Sequence, residues 1–87
     1  MPFYYAVYAK ATCEYCADVI NKMNEHGLDF VLILVDKSED FYSFVKSKYE
    51  HQTVPMVVKC SKATGDDMEF IGGCDDFLKR LSEEGYE

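Results

Sequence analysis

Four side chains in the first sixteen residues carry the most specific chemistry of the chain. Cys13-Glu14-Tyr15-Cys16 is a C-x-x-C, with Lys10 three residues upstream. That spacing serves thiol–disulfide exchange or metal binding, and context decides between them. A zinc ribbon needs a second close cysteine pair or a histidine pair. Cys60 and Cys74 stand far apart, and His26 and His51 are not paired with them. No metal site is therefore expected. Two further segments draw attention. Thr53-Val54-Pro55 precedes an apolar run, and Gly72-Gly73-Cys74-Asp75-Asp76 precedes a helical pattern. One reading is that the proline simply opens a strand, where its missing N–H costs least. A cis bond at Pro55 would instead turn the Val54 N–H and C=O outward, toward an extended peptide-like ligand. The glycine pair can be a plain turn with Asp caps. Equally, it lets a ligand approach the backbone at a helix N-terminus, a natural carboxylate site.

The elements that must hold these residues read from periodicity. Phe3–Ala9 is apolar without clean alternation, as in a strand buried on both faces. Thr12 is the expected N-cap of a helix from Cys13 to Glu25, with Cys16, Val19, Ile20 and Met23 facing the sheet. Gly27 suits the left-handed position that ends it. Phe30–Val35 reads as a second buried strand, giving a βαβ unit with a parallel pair. Ser38 caps a helix over 39–49, whose apolar side is Phe41, Phe44, Val45 and Tyr49. Pro55–Cys60 is a strand, 61–67 a turn, and Met68–Ile71 pairs back as a hairpin. A last helix over 74–83 buries Phe77, Leu78 and Leu81. The order β-α-β-α-β-β-α predicts an α/β fold, a four-stranded mixed sheet with three helices on its two faces.

This frame gives the cysteines different tasks. At the start of a helix, free N–H groups and the helix dipole favour a thiolate at Cys13, and Lys10 adds positive charge. Cys16 lies one turn deeper, placed to attack a mixed disulfide formed at Cys13. Cys60 and Cys74 read as small buried hydrophobes. His26 and His51 read as helix-end or loop residues, because exchange needs no separate base once the thiolate exists.

Composition narrows the functional classes. The 87 residues are 48% hydrophobic and 29% charged, which predicts one folded domain over 1–87. Such a domain buries only about 60–65% of its unfolded surface. The formal charge is −7, and residues 66–87 hold eight acids against two bases. No basic patch can neutralise several phosphates, so nucleic-acid binding is not expected. The acidic C-terminal segment reads as a solvated face. The longest apolar runs of the chain, Phe3–Ala9 and Phe30–Val35, reach about a third of a bilayer span, so no membrane helix is expected. Met1-Pro2 has no positive n-region behind it, so no secretory signal is expected and the predicted location is cytoplasmic.

Tyr8–Cys16, Thr53-Val54-Pro55 and Ile71–Asp76 together resemble the three signature segments of a dithiol glutaredoxin in its short bacterial or phage-type form. Their order and spacing agree over essentially the whole chain. The resemblance implies the thioredoxin fold, with Cys13 and Cys16 catalytic and glutathione as co-substrate. Its cysteine backbone would pair with Val54 beside a cis Pro55, with Thr53 adjoining. Its γ-glutamyl carboxylate would meet the amides of Cys74 and Asp75 after Gly73, with the Asp75 carboxylate on its amino group. Its glycine carboxylate would lie near Lys10 and Gln52, and Tyr15 would pack over the site. Implied partners are disulfide-containing or glutathionylated proteins, ribonucleotide reductase among them. A monomer is expected, in the host cytoplasm if the chain is phage-encoded. Two alternatives stand beside this reading. One is a thioredoxin-like reductant fed by a flavoprotein reductase; the other is a non-enzymatic iron–sulfur module ligated through Cys13.

The chain also departs from the family pattern. Glu14 stands where proline is usual, and its carboxylate opposes a thiolate at Cys13. Gln52 is neutral where a base is frequent. Phe41 and Tyr42 occupy the start of the second helix, where a polar glutathione contact is common.

Overall fold

The computed structural model describes residues 1–86. The elements are β1 (Phe3–Ala9), α1 (Glu14–Glu25), β2 (Phe30–Leu34), α2 (Glu39–Tyr49), β3 (Met56–Ser61), β4 (Asp67–Gly72) and α3 (Cys74–Glu83). The strands form one sheet in the order β2-β1-β3-β4. β1 runs parallel to β2, with Tyr5 opposite Phe30 and Ala9 opposite Leu34. It runs antiparallel to β3, and β3 pairs antiparallel with β4 through an irregular register. The expected mixed sheet and three helices are all present.

β1 lies centrally because both of its faces are apolar. Tyr5, Val7 and Ala9 point to one side and join Cys16, Val19 and Met23 of α1 and Cys74, Phe77 and Leu81 of α3. The Tyr5 and Phe77 rings meet edge to face at 5.6 Å, a favoured aromatic geometry. The intervening residue Ala6 points to the other side, with Val58 and Cys60 and the half-buried rings of Tyr4, Tyr8, Tyr49 and Phe70. α2 covers that side through Tyr49 and Phe41, both in contact with Tyr8. α1 ends as expected: Gly27 has φ +64°. The Gly27 N–H donates to Asn24 O and the Leu28 N–H to Met23 O, the paired bonds of a Schellman motif.

Three expectations change. β2 is not a buried strand. It forms the edge of the sheet, and Val31, Leu32 and Leu34 are 46%, 48% and 38% exposed. Strand order decides this, and an apolar run alone does not encode strand order. Second, the apolar side of α2 is narrower than expected. Positions 41, 45 and 49 make one i, i+4, i+8 stripe, but Phe44 stands about 100° round from Val45 and is 61% exposed. Third, Thr12 is not the N-cap of α1. The Cys13 N–H closes a turn onto Lys10 O at 3.3 Å, so the helix starts one residue later and Cys13 itself caps it.

Candidate active site

The first wall of the site is the start of α1. Cys13 is extended (φ −92°, ψ 117°) and its Sγ accepts the Cys16 N–H at 3.2 Å. Sulfur here fills the role usually taken by a Ser or Asp oxygen. It receives a free amide of the first turn and lies at the positive end of the helix dipole. Cys13 is part-exposed, whereas Cys16 is buried. Burial, and then the contact with Cys13, push the Cys16 thiol up to about 12. The geometry therefore makes one sulfur reachable and keeps the other protonated and enclosed.

The second wall comes from the connection between α2 and β3. Glu50 leaves α2 with φ +52°, a left-handed conformation that costs a residue with a Cβ about 1–2 kcal/mol. The Glu50 N–H donates to Ser47 O and the His51 N–H to Lys46 O. This reversal delivers Thr53-Val54-Pro55 to the mouth of the C-x-x-C. The Val54–Pro55 bond is cis. The Val54 carbonyl oxygen lies 4.0 Å from Cys13 Sγ, the thiol donating.

The third wall is the start of α3. Gly72 has φ +124°, and a Cβ there would fall 2.4 Å from Asp76 Oδ2. Only glycine fits such a turn. Asp76 folds back so that its Oδ2 accepts the Gly73 N–H at 3.4 Å. Gly73 is the N-cap, and Cys74 is the first helical residue. Burial, followed by the charges of Asp18 and Asp75, raises the Cys74 thiol.

The three walls enclose a cleft of about 330 Å³ lined by Tyr15, Thr53, Val54, Pro55, Gly73, Cys74 and Asp75, together with His51 and Asp76. All but two of the ligand residues inferred from the sequence thus share one cleft. Tyr15 reaches it from α1 and is 65% exposed, so it lies along the rim. Lys10 lines a neighbouring cleft of about 450 Å³, with its ammonium 4.8 Å from the Tyr42 ring. Gln52 is exposed and is not among the lining residues. His51 and Asp76 also line the cleft, where the sequence reading did not place them. Asp76 had a signal, an acidic residue three positions after an N-cap. His51 had none beyond its nearness to Thr53.

A glutaredoxin family model matches residues 6–61, well over half of the chain. The chain belongs to the glutaredoxin family. The match spans Cys13, Cys16 and Thr53–Pro55 and stops before Gly72. Family and fold make the chain a thiol–disulfide oxidoreductase. Among solved structures, wheat glutaredoxin is similar at 27% identity and a TM-score of 0.70, covering 99% of this chain and 74% of the wheat chain. A dithiolic glutaredoxin of Trypanosoma brucei brucei is 29% identical, with a TM-score of 0.68 and coverage of 94% and 79%. A glutathione complex of buckwheat glutaredoxin shares the fold at 23% identity and a TM-score of 0.69, over 98% and 71% of the two chains. No protein among the curated sequences matches the chain. Among the described residues, no helix is long and apolar enough to cross a membrane.

Proposed function

We propose that this glutaredoxin is a glutathione-dependent disulfide reductase that takes glutathionylated and disulfide-bonded proteins as substrates. The observation that carries the reading is the cleft lined by Val54 and Pro55, the Gly73–Asp75 turn and Tyr15, with the Val54 carbonyl oxygen 4.0 Å from Cys13 Sγ. Its chemical character suits a γ-glutamyl tripeptide. The Val54 backbone offers strand-like pairing, the free amides of α3 offer a carboxylate site, and Asp75 offers a partner for an ammonium.

The reaction runs by two exchanges. The Cys13 thiolate attacks the glutathione sulfur of a mixed disulfide. The old S–S bond breaks, a Cys13–glutathione disulfide forms, and the substrate leaves as a thiolate that takes up a proton. A second glutathione thiolate then attacks the bound glutathione sulfur, releasing oxidised glutathione and restoring Cys13. On a protein disulfide, the mixed disulfide at Cys13 is instead opened by Cys16, which gives up its proton as it attacks Cys13 Sγ. The resulting Cys13–Cys16 disulfide is reduced by two glutathiones. This dithiol route is the one that would serve ribonucleotide reductase, a partner that family resemblance suggests. The protein acts as a single-domain monomer in the cytoplasm.

The test is glutathione-dependent reduction of a small mixed disulfide by wild type, Cys13→Ser and Cys16→Ser. Cys13→Ser should lose the activity, and Cys16→Ser should keep it, because glutathione resolves the intermediate without Cys16. A wild type that is inert with glutathione but is reduced efficiently by a thioredoxin reductase would overturn the reading.

A further inference from the structure

The cleft contains one side chain able to carry positive charge, and it is His51. Its position is fixed from several sides. The ring packs on Phe70 at 5.4 Å, and its backbone N–H is held by Lys46 O at 3.1 Å. A Cβ placed on Gly73 would stand 3.6 Å from His51 Nε2 and 3.6 Å from the Pro55 carbonyl oxygen. The imidazole therefore borders the N-cap of α3 and the backbone of Pro55 together.

The charge balance of the cleft gives this position a task. Asp75 and Asp76 line the same space. Glutathione carries two carboxylates, and two acidic side chains repel them. Elsewhere in the chain, the cations near the site face away: Lys10 and Lys46 both sit against the Tyr42 ring, at 4.8 and 4.4 Å. Gln52 brings no charge. The other ionisable groups lining the cleft are Cys74, Asp75 and Asp76 from α3 and Tyr15 from α1; the ring packs on the uncharged Phe70 of β4, and Glu50 precedes it in the chain.

We propose that His51 is a specificity residue whose imidazole binds the γ-glutamyl α-carboxylate of glutathione at the start of α3. The inference rests on the glutathione reading above.

The experiment measures steady-state kinetics with glutathione at one pH for wild type, His51→Gln and His51→Lys. His51→Gln should raise KM about fivefold, with kcat within about twofold. His51→Lys, whose side chain carries a positive charge, should keep KM at or below the wild-type value. With the glycine ethyl ester of glutathione, the His51→Gln penalty should remain. No rise in KM in His51→Gln, or a rise that vanishes with the ester, would overturn the proposal. Each of those outcomes presupposes a wild type that saturates with glutathione; a wild type that does not respond to glutathione overturns the glutathione reading instead.

Discussion

The two faces of the sheet are built from different materials. On the α1 and α3 side, aliphatic and sulfur side chains close around Tyr5 and Phe77, and Val19, Met23, Phe77 and Leu81 are inaccessible to solvent. On the α2 side, the sheet contributes a smaller buried cluster, Ala6, Val58 and Cys60, surrounded by half-buried rings, and α2 adds the buried Val45. Those rings bring polar tips. The Tyr49 hydroxyl donates to Asp67 Oδ2 at 2.6 Å, and Lys48 pairs with the same oxygen at 3.3 Å. Burial works against the Asp67 carboxylate, but these partners outweigh it and hold its pKa below the usual range. The two cysteines of the C-x-x-C and the start of α3 pack on the first of these faces. Positioning two sulfurs within one helical turn demands a close-packed support, because packed interiors do not deform continuously. The tyrosine-rich face carries no such demand.

The sharpest way to break this comparison is to truncate one ring on each side. Phe77→Ala should destabilise the fold by about 3–5 kcal/mol, since it empties a fully enclosed position. Phe70→Ala, on the other face, should cost clearly less, since that ring is only half-buried. Urea unfolding of both variants measures the difference. Equal losses would mean that the two faces bear load alike.

A smaller effect should appear in alkali. Burial and neighbouring charge push Tyr5 up to about 12, as burial and Cys13 do Cys16. In the unfolded chain these groups ionise near the ordinary values of 10.0 and 9.0. The unfolded state therefore loses protons first, and stability falls as pH rises from about 9 toward about 12. Urea midpoints across that window should decline, and less steeply in Cys16→Ala than in wild type. Tyr49, on the opposite face, is also raised, by burial and by its bond to Asp67. Tyr49→Phe should flatten the upper part of the same curve.

The smallest effect belongs to the loop that joins the two faces. Glu50→Gly relieves the left-handed conformation at that residue and should raise the thermal midpoint, by up to about 1 kcal/mol of stability. No change in the midpoint would mean that the gain in the unfolded chain's freedom cancels the relief.

Legibility in the sequence divides along physical lines. Cys13 and Cys16, Ser38 as a cap, Gly27 as a helix stop and the start of α3 at Cys74 were readable because each depends on a few neighbouring residues. The fold class followed from the order of such elements. What could not be read depends on partners distant in the chain. Leu32 and Leu34 look like core residues until β2 is known to be an edge. Phe44 looks like part of an apolar face until the stripe through Phe41, Val45 and Tyr49 is fixed by Tyr8. Thr12 is as good a cap by composition as any residue, and the turn onto Lys10 passes that role to Cys13. Within the site, Val54, Pro55, Gly73 and Asp75 come together as the sequence suggested, while Lys10 turns toward Tyr42 and His51 takes a place that periodicity does not mark.

The cap of α1 has a mechanical consequence. In most helices the capping atom is chemically inert, so the helix end is a fixed joint. Here the joint is the sulfur that the proposed mechanism uses. A thiolate is a charged acceptor for the Cys16 amide, and a disulfide sulfur is a neutral and weaker one. On that mechanism, oxidation of Cys13 weakens the bond that caps α1, and reduction restores it.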